Sequence, residues 1–331
     1  VQHVSTRRSL PLNLAQAIEH ATALALPGFF SDDATLTADR ERNEEAISLL
    51  LAAWKDASAG AEPVPFRAIL DLADRNRETC DEFGAARLRD TRGTSLSRGL
   101  TEADLVRGVA ALQRRSFEDV AREAGAGAKD LASAYVNAPV SGTVVGIDIE
   151  TTDRYPDRGY ILNVGLQVMR LGPDTTCDEG YVAYCGVPAM YKELGIPLSD
   201  IHHIEWTDVE GKKPFRKNKE LQKAILAALT TYPYMAHNAA FEDSWFMLHL
   251  DGYAEARKAG KIIPIDTRDI CRRLDPEVRI LPRESSPASL ENWARRRGAL
   301  KPSEKERHLG LDDVDLMLRT VQAEFKERNM F

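Results

Sequence analysis

Cysteine is scarce in this chain. Cys80, Cys177, Cys185 and Cys271 are scattered and form no CxxC pair, so the sequence suggests neither a disulfide framework nor a zinc site. Long apolar runs are missing as well. The longest, around Ile47–Trp54, is the size of a core helix and well short of a membrane span. There is no basic excess: 44 Lys and Arg stand against 51 Asp and Glu, a formal charge of −7. That argues against a surface coating nucleic acid broadly, but not against a nuclease, whose metal ions supply positive charge at the site itself. The first residues carry no secretory pattern. A cytoplasmic, reducing setting without membrane contact is therefore expected. What is present is length, 331 residues, and a hydrophobic content of 43%, enough for two domains or one large one.

Residues 1–140 read as a mostly helical domain without recognisable chemistry. Leu12–Leu26 stops at Pro27-Gly28, and Thr35–Ala59 carries the apolar stripe Ile47, Leu50, Leu51, Trp54. Pro65–Arg89 continues in that style, and Thr91–Gly99 is a polar connector. Thr101 opens a further helix, with Asp104 completing an imperfect capping box. Phe117–Val136 has small and apolar residues where a helix-turn-helix unit would want them. Its would-be recognition helix, AKDLASAYV, has few groups able to read base edges, so two ordinary helices are expected. Ala138–Gly142 marks the boundary to a second domain, 141–331.

From Thr143 the pattern changes to strands alternating with helices. TVVGIDIETT reads as a strand with Asp148 and Glu150 on one face and Val145, Ile147 and Ile149 on the other. Two carboxylates side by side on a buried strand repel each other unless a cation sits between them, and hard oxygen donors suit Mg²⁺ or Mn²⁺. Strands are expected at Ile161–Met169, Tyr181–Tyr184 (antiparallel), Tyr234–Ala236 and Ile262–Ile265. Helices are expected at Lys217–Thr230, Ser244–Leu250, from Ser289 to Gly298, and at Leu311–Arg328. This order predicts a mixed sheet with helices on its faces.

Two further acidic sites follow. After Tyr234–Ala236, Glu242 and Asp243 compete for one role, and helical spacing does not separate them, because both faces are largely apolar. In His308-Leu-Gly-Leu-Asp312-Asp313, spacing does decide. Asp313 heads the stripe Leu316, Met317, Thr320, Val321, Phe325 and should face the sheet, whereas Asp312 shares a solvated face with Asp315 and Arg319. His202-His203 has no partner at ligand spacing and reads as a structural turn. Arg295–Arg297, Lys301, Lys305 and Arg307 either hold a substrate backbone or form a solvated face.

The order DIETT, HNAAFED, IDT, HLGLDD resembles the DEDD-type 3′–5′ exonucleases of the histidine subgroup, and is most similar to the proofreading epsilon subunits of bacterial DNA polymerase III. The resemblance covers Thr143 to Phe331 and none of the first 140 residues. It implies a ribonuclease H-like mixed five-stranded sheet with flanking helices. It also implies two divalent cations, Mg²⁺ or Mn²⁺, about 3.5–4 Å apart. Asp148, Glu150, Asp313 and Glu242 (or Asp243) would hold them. The family has aspartate where Glu242 stands, and glycine where Asp153 stands. His308 would be the general base, an imidazole being suited to proton transfer near neutral pH. Thr151, Thr152, His237, Asn238 and Phe241 fall on the substrate side, with Asn238 as buttress, Phe241 as core and His237 near a phosphate.

The activity implied is removal of nucleoside 5′-monophosphates from the 3′ end of DNA, with a DNA polymerase or another replication or repair protein as partner. An exoribonuclease would keep the same residues. A non-catalytic nucleic-acid-binding or regulatory protein is the alternative from another class.

Overall fold

The structure, a computed structural model, describes residues 100–125, 131–154, 156, 159–189 and 191–331. The helices expected before Leu100 lie outside these residues. Residues 100–187 and 197–331 belong to one compact unit, and residues 188–196, with the short helix Tyr191–Leu194, belong to another. No described helix is long and apolar enough to cross a membrane.

Three helices lead into the sheet: α1 (Glu102–Gln113), α2 (Phe117–Ala124) and α3 (Leu131–Val136). The capping box at the start of α1 is complete, with the Thr101 hydroxyl accepting from the Asp104 N–H and the Asp104 carboxylate accepting from the Thr101 N–H. Val109, Leu112, Val120, Ala124, Leu131, Ala134 and Tyr135 pack into the same core as Val144 and Ile265 of the sheet. The described part of the would-be recognition helix, Leu131–Val136, turns Leu131, Ala134 and Tyr135 into this core. A division at residue 141 falls inside this unit.

Five strands form one mixed sheet in the order β3-β2-β1-β4-β5. They are β1 (Thr143–Thr151), β2 (Ile161–Arg170), β3 (Tyr181–Tyr184), β4 (Tyr234–Ala236) and β5 (Pro264–Asp266). β1 to β3 are an antiparallel meander, while β4 and β5 join β1 in parallel. The expected mixed five-stranded sheet is therefore present, with β5 starting two residues later and ending one residue later than expected. Interleaved are α4 (Lys219–Thr231), α5 (Ala240–His249), α6 (Tyr253–Lys258), α7 (Thr267–Leu274), α8 (Leu290–Arg296) and α9 (Gly310–Glu327). α5 begins four residues before the expected Ser244, because Asn238 turns the chain at φ +81° directly after β4.

Alternation along β1 sorts its side chains into two cores. Val145, Ile147 and Ile149 pack with Leu221, Ile225, Trp245 and Phe246, the α4–α5 layer. Val144 packs with Met235, Trp293, Val314 and Leu318, the α8–α9 layer. Between Val144 and the acids lies Gly146, where a Cβ would meet Val314 Cγ1 at 2.8 Å. Gly165, the β2 partner of Asp148, makes a closer fit still. A Cβ there would stand 2.1 Å from the backbone carbon of Gly310. These missing side chains let the first turn of α9 lie directly on the sheet, beside Asp148.

Candidate metal centre

Asp148 and Glu150 leave β1 on the α9 side, and a register shift follows at Glu150/Thr151 as the strand ends. α9 delivers Asp313 to the same place. Its stripe behaves as the spacing predicts: Leu316, Met317, Thr320, Val321 and Phe325 are buried and Asp312 is exposed. One ligand atom from each of Asp148, Glu150 and Asp313 lies within 4.8 Å of the others. They line a cleft of about 170 Å³ together with Glu242, Glu306, His308, His237, Asn238, Phe241, Leu290 and Met317.

The electrostatics are those of negative charge without compensation. Burial pushes the carboxyl of Asp148 up, and Glu306 adds to it. Glu150 is raised by burial, then by Asp148, Asp313, Glu242 and Glu306. Asp313 is pushed up to about 9 by burial and by Asp148 and Glu306, against a hydrogen bond from the His308 backbone. Glu242 is 2% exposed and is raised by burial and Asp148. Glu242 Oε2 and Asp313 Oδ1 are buried without a hydrogen-bond partner. Orphaned carboxylate oxygens aimed into an acidic cleft fit a hard divalent cation, which would both neutralise and coordinate them.

The choice between Glu242 and Asp243 is made outside helical periodicity. Asp243 Oδ1 accepts from the Tyr253 hydroxyl at 2.6 Å and from Arg257 Nε at 3.0 Å, and Asp243 does not line the cleft. Arg257 also reaches Asp104 of α1 at 2.9 Å. Asp243 therefore serves to tie α5 to α6 and α1, and Glu242 alone faces the acids.

No protein-family model and no curated protein matches the chain. Among solved structures it is similar to the zinc-bound form of the E. coli ExoI–ssDNA complex, at 18% identity, 56% of this chain, 41% of that chain and a TM-score of 0.42. It is also similar to a full-length 3′-exonuclease at 14% identity, covering 57% of this chain and 84% of that one, TM-score 0.40. The chain thus spans less than half the length of the first. Neither likeness is close enough to bring a function with it.

Several expected substrate residues are otherwise engaged. Thr151 and Thr152 are both buried and outside the cleft lining: the Thr151 hydroxyl donates to Asp153 O at 2.7 Å, and the Thr152 hydroxyl accepts from Tyr160 N at 2.9 Å. Both shape the loop after β1. His237 lines the cleft, but Nδ1 is bonded to the Thr267 hydroxyl and Nε2 to Ala288 O, each at 3.0 Å. Burial lowers its pKa to about 4, so it is a neutral strut without a nitrogen to offer a phosphate. Asn238 N donates to Asp266 Oδ1 at 3.0 Å, pinning the turn, and Phe241 packs on Trp245 at a centroid distance of 6.0 Å.

The arginine run is also committed. Arg295 pairs with Glu291, Arg296 and Arg297 with Asp275, and Arg297 with Glu324 and Glu327. His202, expected in a structural turn, is the buried last residue of the short helix Ser199–His202, with Nδ1 accepting from Ile204 N at 3.0 Å and Nε2 bonded to Pro197 O at 2.9 Å.

Glu306 is the cleft residue that sequence reasoning missed. It sits in a stretch read as a charged surface, yet it is half-buried and its carboxyl is raised by burial. Its backbone N–H donates to Glu291 Oε2 at 2.9 Å, which holds it inward. It lies two residues before His308 in a segment of no regular structure, so neither a strand nor a helix period marked it. His308 itself has φ +51°, a left-handed backbone unusual for a residue with a Cβ, and so does Asn238 across the cleft.

Proposed function

We propose that this protein is a metal-dependent 3′–5′ exonuclease acting on DNA and releasing nucleoside 5′-monophosphates. The observation that carries the reading is the convergence of Asp148, Glu150 and Asp313 within 4.8 Å, from motifs more than 160 positions apart in the chain, with an orphaned Asp313 oxygen among them. Asp148, Glu150, Glu242 and Asp313 would hold Mg²⁺ or Mn²⁺. Bound there, the cations supply Lewis-acid stabilisation of charge developing on a phosphate.

The chain's own groups do the rest. His308 Nδ1 lies 3.8 Å from both Glu306 Oε1 and Asp313 Oδ2. Two anions on that side favour the tautomer with its proton on Nδ1, which leaves Nε2 able to take a proton from an attacking water. Phe241 and Leu290 offer apolar wall to the terminal nucleoside. Asn238 and Asp266 hold the turn that starts α5, and with it Glu242.

Digestion of 5′-labelled oligonucleotides, DNA and RNA, single- and double-stranded, with Mg²⁺ or Mn²⁺, tests the reading. A ladder shortening from the 3′ end is expected on DNA, slowed on the order of 10³-fold in Asp148→Ala. His308→Ala should lose most activity near neutral pH while Mg²⁺ binding survives. A ladder on RNA alone would make the enzyme an exoribonuclease. Absence of a ladder on every substrate would overturn the proposal.

A further inference from the structure

Asp313 belongs to two clusters at once. On one side are Asp148 and Glu150, an all-oxygen set; on the other are Glu306 and His308, whose ligand atoms also come within 4.8 Å of one another and of Asp313. The two sets differ in kind, because only the second contains an imidazole nitrogen. His308 Nδ1 stands 3.8 Å from Glu306 Oε1 and 3.8 Å from Asp313 Oδ2. Donors about 2.0–2.1 Å from a tetrahedral Zn²⁺ stand roughly 3.4 Å from one another, so each of the two His308 distances needs to contract by only a few tenths of an ångström.

Asp313 also brings an unsatisfied oxygen to the boundary between the two sets. Asp313 is 6% exposed, and its Oδ1 is buried with no hydrogen-bond partner. Nearby cation charge is directed elsewhere: Arg307 pairs with Asp312, and Arg295 with Glu291, the carboxylate that holds the Glu306 backbone. The backbone of His308 is left-handed, at φ +51°.

We infer that Glu306, His308 and Asp313 form a second cation site, selective for a nitrogen-preferring transition-metal dication such as Zn²⁺ over Mg²⁺. Oxygen-only sites suit Mg²⁺, whereas a mixed nitrogen and carboxylate site suits Zn²⁺. The consequence for the proposed enzyme, on whose reading this part rests, is inhibition. A dication on Nδ1 takes that nitrogen's lone pair, so the ring proton resides on Nε2, which then accepts no further proton. Loading this site therefore disables the base without occupying Asp148 or Glu150, and the shared Asp313 couples the two sites.

The test is calorimetric titration of the full chain with Zn²⁺ in saturating Mg²⁺, beside ¹⁵N spectra of the histidine rings. Expected is a Zn²⁺ site weakened about 10–100-fold by Glu306→Gln and by His308→Gln. Mg²⁺ binding should survive Glu306→Gln and fall in Asp148→Asn. In the wild-type protein, Zn²⁺ should shift Nδ1 of His308, a readout that needs no variant to fold. No Zn²⁺ binding in Mg²⁺, binding unaffected by both substitutions, or an unshifted His308 ring would overturn the inference. Zn²⁺ binding as expected in a protein that digests no oligonucleotide would instead overturn the nuclease reading and leave this site standing.

Discussion

Two groups of buried carboxylates in this fold are treated in opposite ways. Asp275 and Glu324 are wholly buried, and both are compensated. Asp275 pairs with Arg296 at 2.7 Å and Arg297 at 2.9 Å, and Glu324 pairs with Arg297, with Arg328 at 2.9 Å and with the Trp293 indole N–H at 2.8 Å. The cleft acids Asp148, Glu150, Glu242 and Asp313 have no such arginines, and they raise one another's proton affinity. Where the acids join α8 to α9 the chain brings its own cations. Where they face the cleft it leaves room for one from solution. The difference separates a structural carboxylate from a ligating one better than burial does.

Breaking the compensated group should have the larger effect on folding. Arg297→Met leaves Asp275 and Glu324 short of a partner in a buried setting, and should cost about 3–5 kcal/mol in chemical denaturation with or without divalent cations. A loss under about 1 kcal/mol would show that the network is dispensable.

Gly165→Ala tests what brings Asp313 to the cleft. Its Cβ would meet the Gly310 backbone, which cannot move without shifting α9. About 1–3 kcal/mol of stability should go, and Mn²⁺ affinity should fall with it. Stability lost at unchanged affinity would separate the α9 contact from the site.

The neighbours Glu242 and Asp243 give the most discriminating contrast. Asp243→Asn weakens charge-assisted bonds from Arg257 and Tyr253 and should cost about 1.5–3 kcal/mol with Mn²⁺ binding retained. Glu242→Gln should weaken Mn²⁺ binding without that loss of stability. The reverse pattern would exchange their roles.

This last pair shows where sequence legibility ends. β1, its two-sided pattern and the Asp313 stripe could be read from the sequence because periodicities of 2 and 3.6 decide which face a side chain takes. Glu242 and Asp243 could not be separated that way, since the deciding partners, Tyr253 and Arg257, lie ten and fourteen residues from Asp243. Glu306 lies in an irregular segment where no long period applies. The arginines at the end of α8 read as either a substrate-facing charge or a solvated face because their acids, Asp275 and Glu324, are distant in sequence. The threonines after Glu150 looked like ligand contacts, yet their hydroxyls close the local loop.

Thermal unfolding of the wild type and Glu150→Gln at pH 8, first with chelator and then with Mn²⁺, tests the contrast most directly. Glu150 has a folded pKa raised to about 10, above its ordinary value, so the folded state binds more protons than the unfolded one between those limits. Stability of the metal-free wild type should therefore fall as pH rises through that window. With chelator, Glu150→Gln should melt above the wild type, by on the order of 1 kcal/mol or a few degrees after allowance for solvent screening. Mn²⁺ should reverse the order, raising the wild type well above the variant. A variant that melts lower in chelator, or equal gains from Mn²⁺ in both proteins, would contradict a cleft built to hold a cation.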